Sequence, residues 1–172
     1  MATSPELSGM AAAEENAFAP VRRTIRVRAN AARAFKVFTD GIDSWWPRSH
    51  HIGSSPMTRV ILEGRVGGRC YSVQEDGSEC EWAQITAWEP PSRFAMVWLI
   101  NGDWIFEPDA GKCSEVEVTF TPERDGSTLV VLEHRGFERM VSGGDKMRAG
   151  VGSEGGWNGL LVLFQTVAEK ED

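Results

Sequence analysis

The sequence predicts an α+β domain, an antiparallel sheet with helices gathered on one face. Three observations predict it. Short apolar runs recur from residue 57 to residue 135, separated by clusters of Gly, Pro, Asn and Asp, which is strand and hairpin patterning. A strand-like run and an Ala- and Phe-rich helical segment precede them. Near the C-terminus, Trp157, Leu160, Leu161, Phe164, Val167 and Ala168 follow i, i+3, i+4, i+7, i+10 and i+11, one apolar stripe on a helix. A sheet with an apolar face needs a cover, and this stripe supplies one.

The elements follow in order. Residues 1–19 hold Glu6, Glu14 and Glu15 but no Lys or Arg, and are expected to form a disordered tail before a single domain over 20–172. Arg22 to Arg28 reads as an edge strand, with Arg23, Arg26 and Arg28 toward water. Asn30 is a fair N-cap for a helix over Ala31 to Thr39, whose apolar face is Ala34, Phe35 and Phe38. Asp40-Gly41 ends it, and a second short helix is expected over Ile42 to Trp46, stopped by Pro47. Strands are expected over Met57–Glu63, Gly67–Gln74, Glu81–Trp88 and Phe94–Ile100, with a return strand starting at Trp104–Glu107. The glycines at 67 and 68 mark a bulge or tight bend. Glu115–Thr121 and Thr128–Arg135 form the last hairpin, with Glu115 and Glu117 on a solvated face. Glu138 to Val151 reads as a weak helix or loop, loosened by its glycines. The final helix is expected to start at an Ser153 N-cap and run to about Glu169.

Composition narrows the function. The chain has 172 residues, 41% hydrophobic and 25% charged, the balance of a soluble globular domain. With 18 basic and 25 acidic residues the net charge is −7, so no nucleic acid partner is expected. No apolar run reaches the roughly 20 residues of a membrane span. With no basic, apolar leader, a cytoplasmic location is the default. Cys70, Cys80 and Cys113 are odd in number and form no Cys-x-x-Cys, so free thiols are expected. With Asp76-Gly77 as central turn residues, Val73 faces Cys80 and Cys70 faces Ala83, which keeps the two thiols apart.

A set of landmarks runs through the chain: Arg22 to Arg28, Trp45-Trp46-Pro47, Gly67-Gly68-Arg69, Trp88-Glu89-Pro90-Pro91, Ser114 to Phe120, His134-Arg135-Gly136-Phe137 and Gly155-Gly156-Trp157. In this order the chain resembles the START-like (SRPBCC) superfamily, in the branch named after the activator of a heat-shock chaperone's ATPase. The resemblance implies a helix-grip fold. In that fold a curved antiparallel sheet of six to seven strands wraps around a long C-terminal helix, often with a cavity between them, and two short helices follow the first strand. It also implies that the sheet face carrying Trp98 and His134 looks inward.

Seven tryptophans against one tyrosine fit a ligand pocket as well as a core. Phe94, Met96 and Trp98 share one strand face, as do Val130, Leu132 and His134. Trp157 leads the helix stripe, and Trp45, Trp46 and Trp104 come from segments that close one end. The candidate ligand-binding residues are therefore Trp46, Met96, Trp98, Trp104, His134 and Trp157. His134 could orient a ligand or act as a base. His50 and His51 are adjacent in a loop, where imidazoles diverge, so no metal site is expected and a surface loop or a lid over the cavity is. No phosphate loop, dinucleotide fingerprint or Gly-x-Ser-x-Gly elbow occurs, and no cofactor is expected.

The leading expectation is the binding of a small apolar or aromatic molecule between sheet and helix, with the Gly-rich 138–152 segment as a gate. One alternative is a cyclase- or aromatase-like enzyme, in which two of His134, Tyr71 and Asp103 would have to meet at the cavity wall. Another is a protein-interaction, co-chaperone-like module, with a filled interior and an exposed apolar patch.

Overall fold

The computed structural model describes residues 17–170. Most of the expected tail lies outside the described residues; at its end, Arg148 Nε donates to the Ala19 carbonyl at 2.6 Å. Seven antiparallel strands form one sheet: β1 (Val21–Val27), β2 (Met57–Leu62), β3 (Arg69–Gln74), β4 (Glu79–Glu89), β5 (Arg93–Trp98), β6 (Ser114–Pro122) and β7 (Thr128–Arg135), in the order β1-β7-β6-β5-β4-β3-β2. The helices are α1 (Ala31–Phe38), α2 (Gly144–Val151) and α3 (Gly159–Ala168), with a single-turn 3₁₀ helix at Ile42–Ser44. No helix of the described residues is long and apolar enough to cross a membrane.

Local chemistry accounts for most boundaries. The Asn30 side chain accepts from the Arg33 N–H at 2.8 Å and caps α1, satisfying one of the free donors of the first turn. Its buried face is Ala34, Phe35 and Phe38. The expected return strand at Trp104 is reduced to one bridge, Ile100 with Phe106. Asn101 is the cause: its side-chain oxygen accepts from the N–H groups of Asp103 and Ile105 at 2.9 and 3.1 Å, holding the chain in a local turn that competes with strand pairing.

Edge placement of β1 follows the sequence, but its faces do not. Arg22 and Arg26 face outward and pair with Glu133 and Glu123. Arg23 lies on the inner face and donates to the Gly152 carbonyl at 3.0 Å and to the Asn158 side chain. Glu115 and Glu117 are half-buried and laced to Arg93, Arg135 and Arg139. Burial pushes the Glu117 carboxyl up, but its hydrogen bond to Arg93 and the charges of Arg135 and Arg93 outweigh that and hold it below the usual range.

The β3–β4 hairpin carries an informative correction. Gln74 N–H bonds the Ser78 carbonyl across three residues, with Gly77 at φ +83, so the loop is one residue longer than expected. Val73 therefore faces Glu79, and Cys80 faces Ser72. A bulge then restores the register: Tyr71 faces Glu81 and Cys70 faces Ala83, leaving Trp82 as the extra residue.

The C-terminal helical segment also departs from expectation. Regular helix begins at Gly159, after a π-type turn over Glu154–Asn158 that is interrupted at Gly156. A Cβ on Gly156 would lie 2.2 Å from the Val151 carbonyl oxygen. Only glycine lets the turn pass this close over the end of α2.

The interior divides into two aromatic halves. One is packed with Phe35, Phe38, Phe94, Phe120 and Phe164, whose rings meet at 4.9–6.4 Å. The other is built of tryptophan. Trp45 joins them, 5.0 Å from Phe38 and 5.7 Å from Trp46.

Candidate functional site

The tryptophan half is hollow. A cavity of about 430 Å³ lies between the sheet, the π turn, the start of α3 and the 49–52 loop, within the size range of small-molecule sites. Its wall includes Trp46, Trp82, Trp98, Trp104 and Trp157 and, among the described residues, no phenylalanine, Lys, Arg, Asp or Glu.

Four of these tryptophans close a ring. Trp46 stacks on Trp82 at 5.1 Å, Trp82 meets Trp98 edge-on at 5.4 Å, Trp98 meets Trp157 at 5.6 Å, and Trp157 returns to Trp46 at 6.3 Å. Such edge and offset contacts are the favoured aromatic geometries. Each ring comes from a different element: the segment after the 3₁₀ helix, β4, β5 and the π turn. Trp82 was absent from the sequence-based candidates. Strict alternation along β4 puts it with Gln84 and Thr86, which are exposed; the bulge turns it inward beside Ala83.

Trp104 stands at the opening, 47% exposed, at φ +61. A positive φ is rare for a bulky residue. A Cβ on Gly150 would sit 2.9 Å from its ring, so the bare glycine makes room for the indole. Opposite, Trp46 Nε1 donates to the His50 carbonyl at 2.8 Å, and the His50 ring bonds the Gly155 carbonyl at 2.7 Å through Nε2. The carbonyl can only accept, so Nε2 carries a proton, and Nδ1 lies 3.1 Å from the Ser49 hydroxyl. His50 thus ties the 49–52 loop to the π turn.

Met96 and His134 stand elsewhere. Met96 is buried on β5 between Phe94 and Trp98, outside the cavity wall. His134 is fully buried behind the wall. Trp157 Nε1 donates to its Nδ1 at 3.1 Å, and its Nε2 lies 2.8 Å from the Ser114 hydroxyl. An indole nitrogen only donates, so Nδ1 accepts and Nε2 carries the proton. Burial pushes the imidazole down to about 3, so it is neutral at physiological pH. It holds the Trp157 indole in place. Tyr71 lies on the outer face beneath the Arg69 guanidinium, 4.2 Å from the ring centroid, and Asp103 is an exposed turn residue. The three candidate catalytic groups do not converge.

All three cysteines are free. Burial raises the thiol of each, that of Cys113 to about 11.

The model of the family described as "Activator of Hsp90 ATPase homolog 1-like protein" matches residues 28–169. The chain belongs to this family. It is a START-like protein with the helix-grip fold. Among solved structures it is similar to an anthrahydroquino-gamma-pyrone synthase, Txn09, complexed with SUM, at 37% identity over 86% of this chain and 96% of that one, TM-score 0.62. It is also similar to CalC from Micromonospora echinospora, a self-sacrificing resistance protein, at 30% identity over 89% and 96%, TM-score 0.64. The Aha1 dimer from Colwellia psychrerythraea is 16% identical over 87% and 96%, TM-score 0.59, a likeness of fold. No curated protein matches the chain.

Proposed function

We propose that this family member binds a small apolar or aromatic molecule in the tryptophan-walled cavity. The observation that carries this reading is the contrast within one interior: a close-packed phenylalanine half beside an open tryptophan half of about 430 Å³. Protein interiors rarely leave such space unused. The reading is supported by two relatives at 30% identity or more, one named as a synthase and solved with SUM, the other as a resistance protein. Ligand contacts come from Trp46, Trp98, Trp104 and Trp157, joined by Trp82. His134 acts by holding Trp157, and Met96, outside the wall, belongs to the packed core. The affinity comes from burial of apolar ligand surface, at about 25 cal/mol per Å² before association costs.

A cyclase-like activity in the same cavity is the second reading, favoured by the synthase relative. His50 and His51 are the titratable side chains at the wall.

The test is a titration of aromatic metabolites followed by tryptophan fluorescence and thermal shift. Saturable one-to-one binding is expected. Trp104→Ala, at a half-exposed position, should weaken it severalfold with little change in melting temperature. Failure of a cooperatively folded protein to bind any compound would overturn the reading in favour of a protein partner, docked at the exposed Trp104-Ile105-Phe106 loop.

A further inference from the structure

The 49–52 loop carries a pair of side chains that the binding role does not use. Ser49 and His50 both line the cavity, and both are exposed, so a molecule seated there and solvent water reach them alike. The Ser49 hydroxyl lies 3.1 Å from His50 Nδ1, and His50 Nε2 lies 2.7 Å from the carbonyl of Gly155, another residue of the wall. The carbonyl keeps a proton on Nε2, so in the neutral ring Nδ1 is a lone pair with the Ser49 hydroxyl as its donor. An exposed imidazole ordinarily turns freely in water. This one is tied at both ring nitrogens, its carbonyl accepts from Trp46 Nε1 at 2.8 Å, and its ring meets the Trp46 ring edge-on at 6.4 Å. A hydroxyl, a base within hydrogen-bond reach and a third group that orients the base are the parts of nucleophilic catalysis. Here a backbone carbonyl takes the orienting place that a carboxylate holds in serine hydrolases. The pair Ser114 and His134, at 2.8 Å, is fully buried and out of reach of a substrate.

We infer that the cavity mouth is an acyl-transfer site, in which Ser49 is the nucleophile, His50 its general base, and the substrate an uncharged ester of an aromatic alcohol. This rests on the proposed binding role, which seats the aromatic part among the tryptophans and leaves the ester at the 49–52 loop. No Lys, Arg, Asp or Glu of the described residues stands on the wall, so a charged substrate would be buried without a counter-ion. In the first step Ser49 Oγ bonds to the ester carbonyl carbon while its proton passes to His50 Nδ1. The bond from that carbon to the aryl oxygen then breaks, and the aryl oxygen takes the proton from Nδ1. Water next attacks the acyl-serine and gives a proton to Nδ1, which returns it to Ser49 Oγ as the acid leaves. Ester and water become alcohol and acid, with nothing oxidised or reduced. A positioned base of this kind contributes about 10²–10⁴-fold.

The experiment incubates the intact protein with phenyl acetate, 1-naphthyl acetate and 2-naphthyl acetate and follows release of the phenol or naphthol. 1-Ethoxynaphthalene, which has no ester bond, reports binding separately by thermal shift. At least one ester should be hydrolysed with saturation, about a hundredfold faster than by Ser49→Ala. Acid-quenched samples should carry an acetyl group on Ser49, located by peptide mass spectrometry. His50→Gln keeps a side-chain donor for the Gly155 carbonyl but has no base, so kcat should fall about a hundredfold while KM stays within about threefold. If 1-ethoxynaphthalene binds but no ester is hydrolysed, the acyl-transfer site is overturned and the binding role stands. Hydrolysis undiminished in Ser49→Ala or His50→Gln, or an acetyl group on Cys80 or a lysine in place of Ser49, would overturn the assignment to this pair in the same way. If the ether does not bind and no ester is hydrolysed, the binding role and the acyl-transfer site fall together.

Discussion

At the scale of single residues, His134 and Trp157 form one unit. The imidazole is neutral because burial disfavours its charged form, and that neutrality lets Nδ1 accept from the indole. The consequence for stability has a definite sign. In the unfolded chain the imidazole titrates near about 6.5, and in the folded protein near about 3. Below pH 6.5 the unfolded state binds the extra proton, so stability is full above that pH and is lost as pH falls toward 3. Between pH 7 and pH 5 this group alone removes about 2 kcal/mol. Urea unfolding at the two pH values measures it, and His134→Gln should flatten the difference. The same substitution frees the Trp157 indole and should weaken ligand binding, although His134 itself does not line the cavity. Trp82 teaches a related lesson. Its inward position depends on one extra residue in a hairpin, so nothing in its own neighbourhood of the sequence marks it as part of the wall.

At the scale of elements, the cavity depends on two interruptions. The bulge in β4 delivers Trp82, and the break at Gly156 delivers Trp157. Gly156→Ala would place a methyl against the Val151 carbonyl; the expected cost is about 3 kcal/mol, read as a lowered melting temperature, with the Trp157 fluorescence environment changed. The 49–52 loop is held more lightly, by the hydrogen bond from His50 to Gly155. His50→Ala should leave the melting temperature nearly unchanged and speed ligand release severalfold, measured by stopped-flow displacement. Gly150 acts through its missing side chain: Gly150→Ala would push on the Trp104 ring and should alter binding without unfolding the domain. The glycines of the 138–152 segment read from the sequence as sources of looseness. In the structure, residues 144–151 are helical, with Met147 and Val151 buried.

At the scale of the whole molecule, an α+β sheet-and-helix domain has one half filled and one half open. A ligand that binds only the folded state stabilises it by mass action, by about 2.7 kcal/mol at one hundred times Kd. For a domain of this size that is a melting-temperature rise of roughly 5–10 °C, which differential scanning fluorimetry can read. A hydrocarbon too large for the cavity should give none. Apart from the run at Trp104, which forms only one bridge, the sequence by itself determined the strands, the α1 cap, the edge position of β1 and the apolar C-terminal stripe, because period, caps and turn residues are local and each acts within a few positions of itself. It also marked Trp46, Trp98, Trp104 and Trp157 as candidates, and these four stand on the cavity wall. Alternation says which side of a strand a residue occupies, but it cannot say whether the space beyond is packed or empty. Tertiary structure alone decided that Trp82 joins the wall, that His134 stands behind it, that Arg23 turns inward, and that His50 meets the Gly155 carbonyl. Each of these depends on distances between segments far apart in the chain, set by how a bulge and a broken helix bring separate elements together.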